Sequence, residues 1–484
     1  MTPGPTAAGG ARTGSPPVTG RPSDTGSPLD IGRRAAAVPP KTDFPLLDEL
    51  AKAFEDLAAR HPNLVATRRL GRSRDGQPIN LHVIGRGQGR LAHLVVGGVH
   101  PNEPIGSWTA LHLAEQLIQD PAMRQQLDAS WGIIPCVDPD GYRLNEGWLK
   151  NPADRLHYAE HFFRPAPDDQ VEWTFPFHYK RAHFDAMMPE TRALKEAIDL
   201  MRPDLYVALH NSELGGVYYY LSRAEPELYP ALHAIPQALG IPLDEGEPES
   251  GHLVALAPAI FAETSLEDAY DWMESLGLDP CPPGSGGASS GQYASRAHGA
   301  LSLIAELPYW RDARASDTRL TQEAYADLLE RTGQRTADLG AVLTQAADEA
   351  RDLLDWTTPL AHGARAFAQM MGDAAGTARA RGRQPEARRP ATAAERFGCE
   401  ETVRMFQLRY GGMMLRALGE GLAGSPDPAA LAAVADRLER HCEGWRAAAA
   451  ADDASEPIPI ADLVGVQYGA ILAAAALLAG RLAP

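Results

Sequence analysis

Histidine followed three residues later by glutamate sets an imidazole and a carboxylate on one side of a turn or a first helical turn, where both can reach one cation. The pattern occurs at His100/Glu103, His112/Glu115, His157/Glu160 and His210/Glu213. Fifteen histidines in an acidic chain make most such copies coincidental, so the flanking sequence has to choose among them. His100 and Glu103 end the stretch LAHLVVGGVHPNE, in which an apolar run stops at two glycines. Gly97 and Gly98 permit a sharp turn at a strand end, and Pro104 suits the first turn of the helix expected over PIGSWTALHLAEQLIQD. His112 and Glu115 fall inside that helix and read as a packing or surface pair; His157 and Glu160 follow a loop with no strand before them. A third ligand comes from DLYVALHN, a second buried strand ending at His210. Two strand-end histidines and a carboxylate leave one tetrahedral position for water, the arrangement a catalytic zinc site needs. Glu306 closes another apolar run, ALSLIAE, and a carboxylate at a buried strand end requires a partner or a chemical role.

Six segments in order resemble the M14 zinc carboxypeptidases. LGRSRDGQPI is similar to that family's early turn and strand, HPNE to its first metal motif, and IPCVDPDGYRLNEGW to its strand and Asn-Pro-Asp-Gly element. PETRALKEAID resembles its next helix, DLYVALHN its third-ligand strand and ALSLIAELPYW the strand bearing its catalytic glutamate. The resemblance implies an α/β fold with a mixed twisted β-sheet flanked by helices, and one zinc ion per chain held by His100, Glu103 and His210. It implies Glu306 as the general base that takes a proton from the attacking water and returns it to the leaving nitrogen. Asp138 or Asp140 would orient a ligand histidine, and Asn211 with its neighbours Ser212 and Glu213 would shape the substrate pocket.

The sequence departs from the family after Asp140, where no Asn-Arg pair stands ready to grip a terminal carboxylate. Arg143, Arg155 and Arg164 remain, and Arg155 and Arg164 are the candidate substrate residues because a guanidinium can bind a carboxylate through two hydrogen bonds. Cys281 stands about where the family carries a mobile loop tyrosine, so Tyr293 is the candidate replacement.

These residues need a scaffold of strands and helices. Apolar spacing predicts a helix from Phe44 to His61, then strands over INLHVIG, LAHLVVGG and SWGIIPCVD, with the helix after Glu103 stopping near Asp120 because Pro121 follows. Strands alternating with helices predict an α/β catalytic domain over 43–315, after a disordered tail over 1–42 rich in Gly, Pro, Ala and Thr. Beyond it, alanine- and leucine-rich helices predict an all-α domain over 316–484, with an exposed arginine-rich connection at 376–396. The last apolar stretch, QYGAILAAAALLAG, is too short for a dependable membrane span and reads as a bundle or dimer helix.

The net charge of −18 argues against general nucleic-acid binding. Four scattered cysteines and a start without a signal-like apolar core lead to the expectation of a cytoplasmic protein, with no membrane partner and a homo-oligomer through the helical region as an option. The expected function is hydrolysis of an amide bond, releasing a C-terminal amino acid from a peptide or acyl-amino-acid substrate by a zinc-activated water. Two alternatives stay open: a related amidase or deacylase that does not select a free C-terminus, and a catalytically silent metal-binding module.

Overall fold

The computed structural model describes residues 29–480 apart from residue 88, together with residue 482. Nine strands form the central sheet: β1 (Val65–Arg72), β2 (Pro78–Ile84), β3 (Leu91–Val96), β4 (Ala129–Ile134), β5 (Leu205–Leu209), β6 (Tyr218–Leu221), β7 (Ala255–Ala257), β8 (Ile260–Ala262) and β9 (Leu301–Glu306). Their order is β1-β2-β4-β3-β5-β9-β6-β8-β7. The middle is parallel, with β3 against β4 and β5, and β5 against β9; the flanks are mixed, with β1–β2, β2–β4, β9–β6 and β7–β8 antiparallel. β5 is buried along its whole length, as a strand covered on both faces must be.

Alternate residues of these strands feed two cores. Leu94, Val96, Tyr206 and Ala208 face one side with Leu194, Ile198 and Ala294 from helices Pro189–Met201 and Ser290–His298. Val95, Val207, Leu209, Leu303 and Ala305 face the other, where helices Leu47–Arg60, Ile105–Gln119 and Ile460–Leu478 lie. In chain order the helices used below are α1 (Ile31–Ala35), α2 (Leu47–Arg60), α3 (Ile105–Gln119), α4 (Pro139–Leu149), α5 (Arg155–His161), α6 (Pro189–Met201), α7 (Ser290–His298), α8 (Tyr325–Glu349), α9 (Pro359–Gly382), α10 (Ala393–Gly421), α11 (Pro428–Ala451) and α12 (Ile460–Leu478). α3 stops at Gln119, where Asp120 accepts from the Met123 backbone to start the next helix at Pro121.

The described residues bear on three expectations about organisation. The helices of the C-terminal region pack onto the sheet: residues from α8 to α12 belong to the same apolar core, α10 packs on α5, and α12 packs against α3, β5 and β9. An alanine-rich sequence predicts helix but not what the helix covers. Within the stretch 1–42 expected as a tail, α1 packs on α12 with Ala35 buried; residues 1–28 lie outside the described residues. The arginine-rich stretch 376–396 is partly the last turns of α9, and Arg381 there is pinned to Glu247 at 2.6 Å. Among the described residues, α12 is the one helix long and apolar enough to cross a membrane, and 83% of its apolar window is buried inside the fold.

Candidate metal centre

Three neighbouring parallel strands, β3, β5 and β9, bring their carboxyl ends to one edge, the place where open α/β sheets bind ligands. His100 and Glu103 follow β3, His210 follows β5, and Glu306 ends β9. The turn after β3 depends on its glycines. A Cβ on Gly97 would stand 2.4 Å from the Pro135 carbonyl oxygen, and Gly98 has φ +65° with a would-be Cβ 2.7 Å from Cys136 Sγ.

His100, Glu103 and His210 are all buried, and one ligand atom from each lies within 4.8 Å of the others. His100 Nδ1 is 3.1 Å from Glu103 Oε1, His210 Nδ1 is 3.1 Å from Glu103 Oε2, and the two Nδ1 atoms are 3.1 Å apart. Two ring nitrogens can face each other at that distance only with a proton or a cation between them. His210 Nε2 is buried without a hydrogen-bond partner, so the ring is held from its Nδ1 side alone. Two imidazoles and a carboxylate are the donor set zinc takes with an open fourth position, and the residues fit that ion.

The electrostatics agree with a site built for positive charge. Burial lowers the pKa of His100 to about 3, with Arg164 adding to the effect, so this ring is neutral and a ligand in waiting. Burial alone would lower His210 too, but the hydrogen bond and charge of Glu103 raise it to about 9. Glu103 is held well below the ordinary carboxylate range because both histidines outweigh its burial. Glu306, 3.9 Å from His210 Nδ1, is pushed well above that range by burial.

The other candidates divide. Arg164 reaches the centre: one terminal nitrogen is 3.2 Å from Glu103 Oε1, the other 2.9 Å from His100 Nε2, and its side chain is 21% exposed. Arg155 does not; it is buried and donates to Glu213 at 3.1 Å and Glu401 at 3.0 Å. Its guanidinium is consumed by a structural ion pair that also includes Arg409, 2.5 Å from Glu213. Tyr293 is corrected as well: on α7 its hydroxyl donates to Asp199 at 2.8 Å and Lys195 lies over its ring, so it anchors α7 to α6. Asn211 orders the ligands rather than facing outward. Its backbone N–H donates to Glu103 Oε2, its amide donates to the His210 carbonyl, and its Oδ1 accepts from Ile105 N–H and the Tyr309 hydroxyl. Neither Asp138 nor Asp140 orients a histidine; Asp138 caps α4 through Gly141, and Asp140 accepts from Ser73 and Asp75.

Other residues of the centre carry no signal in the sequence. Gln467 of α12 donates to the His210 carbonyl at 2.8 Å, across 257 residues of chain, and accepts from Thr109 at 2.7 Å. Tyr309 stood in the quoted ELPYW, but nothing there marks its hydroxyl as a brace to the Asn102 carbonyl. Glu172 and Glu263 accept from Ser290 and Ser289, both feel the charge of His210, and burial raises both pKa values, that of Glu172 to about 7.

Residues 50–252 match the family model of the zinc carboxypeptidases, peptidase M14. That span holds His100, Glu103 and His210, and Glu306 lies beyond it on the neighbouring strand. The chain is 26% identical over 192 residues to zinc carboxypeptidase A 1 of Anopheles gambiae, covering 35% of this chain and 42% of that protein. It is 35% identical over 114 residues to carboxypeptidase A1 of Bos taurus, covering 22% and 27%. It therefore spans less than half the length of these curated relatives. Among solved structures, carboxypeptidase A from Helicoverpa armigera aligns with TM-score 0.37 and 15% identity over 58% of this chain and 70% of that one. The matched segment is built around a buried His-Glu-His triad at the carboxyl edge of the sheet, and over residues 50–252 the chain is similar to the M14 zinc carboxypeptidases.

Proposed function

We propose that this chain is a zinc metallopeptidase of the carboxypeptidase type, releasing a C-terminal amino acid from a peptide or an acylated amino acid. One convergence supports the reading: beside the triad stand a buried carboxylate, Glu306, and a part-exposed guanidinium, Arg164. Zinc at the triad would supply Lewis-acid polarisation of the amide carbonyl and of water. Glu306 takes the proton of the attacking water and hands it to the leaving nitrogen, a role its burial suits because a raised pKa makes its carboxylate a stronger base. Arg164 supplies the fixed positive charge that a terminal carboxylate would meet. His100, Glu103 and His210 hold the ion, and Asn211, Tyr309 and Gln467 keep those ligands aimed.

A second reading, an M14-type amidase that ignores the C-terminus, is favoured by the loss of Arg155 to a buried ion pair, which leaves one arginine of the two candidates at the centre. Paired peptides with free and amidated C-termini separate the two. A carboxypeptidase should cleave the free acid, fail on the amide and lose affinity for the acid in Arg164→Ala. Equal rates on both would establish the amidase. Glu306→Gln should retain zinc at the triad and lose about 10²–10⁴-fold in turnover on either substrate; unchanged turnover would remove Glu306 from the mechanism.

A further inference from the structure

The His-x-x-Glu-His run of α5 is not used by the centre just described. His157, Glu160 and His161 offer one ligand atom each within 4.8 Å of one another, and Glu160 is exposed. We propose that they form a second metal site, for a divalent first-row transition ion of the zinc type. Imidazole and carboxylate together suit such an ion better than magnesium or calcium, which take oxygen ligands.

Hydrogen bonds to the backbone already prepare both rings. His157 Nε2 lies 3.1 Å from the Gly147 carbonyl oxygen, and His161 Nδ1 lies 2.9 Å from the His157 carbonyl oxygen. A carbonyl only accepts, so each of those nitrogens carries the proton and the other nitrogen of each ring keeps its lone pair. This is how a neighbouring acceptor fixes the tautomer of a ligating histidine. The ring centroids are 4.3 Å apart, one helical turn along the same face. His161 lies so close over α4 that a Cβ on Gly147 would be 2.5 Å from its Cδ2, which fixes the ring's place. A tetrahedral zinc with bonds of about 2.0–2.1 Å needs its ligand atoms nearer to one another, about 3.4 Å apart, so the His157 ring and the exposed Glu160 side chain must both close on the ion against the His161 ring.

The position gives the ion something to act on. α5 begins at Arg155, locked to Glu213 and Glu401, and three residues past its end Arg164 reaches His100 and Glu103. Closing the last turn of α5 with a metal would stiffen the segment that delivers Arg164 to the centre.

Equilibrium dialysis against buffered zinc, read by elemental mass spectrometry, tests the site on the full chain. Wild type should take up a second, more weakly held equivalent that His157→Ala/His161→Ala lacks, while His100→Ala/His210→Ala keeps it and loses the first. Glu160→Gln removes an exposed ligand without disturbing either ring, and should weaken the second equivalent roughly tenfold or more while the circular dichroism spectrum stays that of wild type. Retention of both equivalents in the α5 double variant, or undiminished affinity in Glu160→Gln, would overturn the proposal. A wild-type chain that takes up only the equivalent lost in the α5 double variant would count against the catalytic centre and leave this site standing.

Discussion

At the scale of single residues, His210 and Glu103 form an ion pair that a bound zinc would replace. His210, raised to about 9 by Glu103, keeps its proton in the fold where an unfolded chain would release it near 6.5. A raised pKa stabilises the fold fully below the unfolded value, and that contribution disappears as pH rises through the folded one. Protein stripped with a chelator should therefore lose on the order of 3 kcal/mol between about pH 6.5 and 9.5 in urea titrations. His210→Asn, treated the same way, should lack this decline. Zinc-loaded protein should lack it too, because a ligating imidazole is neutral; an equal decline in all three would refute the assignment. Glu103 works with the opposite sign, its stabilising charge being lost as pH falls below the usual carboxylate value. His100, Glu103, His210 and Glu306 were legible because each follows an apolar run, where a polar residue is conspicuous. Arg155 was misread for the converse reason. Its neighbours in sequence show only that it is a cation, and its fate is decided by Glu401, 246 residues away. Tyr293 was misread because a glycine-rich approach suggests a loop, whereas Ser289 caps a helix there and turns the ring toward Lys195.

At the scale of elements, the centre is clamped by helices that the sequence shows as helices and nothing more. α5 and α10 are joined through Arg155, Arg409, Glu213 and Glu401, a buried network directly behind the His210 strand end. Taking one partner from a buried pair leaves an uncompensated charge, so Arg409→Met should destabilise by about 3–5 kcal/mol. A charge-neutral replacement of the Glu213/Arg409 pair together, by Gln and Met, should recover much of that loss, and chemical denaturation of the single and double variants measures it. Failure to recover would mean that packing around the pair, not its charge, sustains the element. α12 has a smaller but more pointed role. Gln467→Leu would strand the Thr109 hydroxyl and one lone pair of the His210 carbonyl in the core, at about 1–3 kcal/mol. It should also loosen His210 enough to weaken zinc roughly 10–100-fold in competition with a chelator. Unaltered zinc affinity alongside the lost stability would assign Gln467 to packing alone. The helical character of this region is legible in its alanine- and leucine-rich composition; the partner of each helix is not, because an alanine-rich face fits many surfaces.

At the scale of the whole molecule, apolar packing runs across the boundary expected near residue 315. α12 has fifteen of its nineteen residues buried, in contact with α1, α3 and the central strands. Its large aliphatic side chains include Ile460, Leu463, Val464, Val466, Ile471 and Leu472, all at most 6% exposed. At about 1.5–3 kcal/mol for each, their burial contributes on the order of 10 kcal/mol, comparable to the whole stability of an ordinary domain. A chain ending at Asp312 would thus open one face of the sheet to water, together with the α5 surface that α10 covers. Such a truncation should fail to give a soluble, cooperatively unfolding protein even when zinc is supplied, since the His210 carbonyl loses Gln467 and Glu213 loses Arg409 in the same cut. Supplying residues 313–484 as a separate chain during refolding should restore solubility and zinc uptake if the two parts are one core. Size-exclusion chromatography and a thermal melt of the fragment decide the matter. A monomeric fragment with a sharp transition and a full zinc complement would restore the C-terminal helices to the status of an independent domain, and would require the α12 contacts to be a docking of two stable bodies.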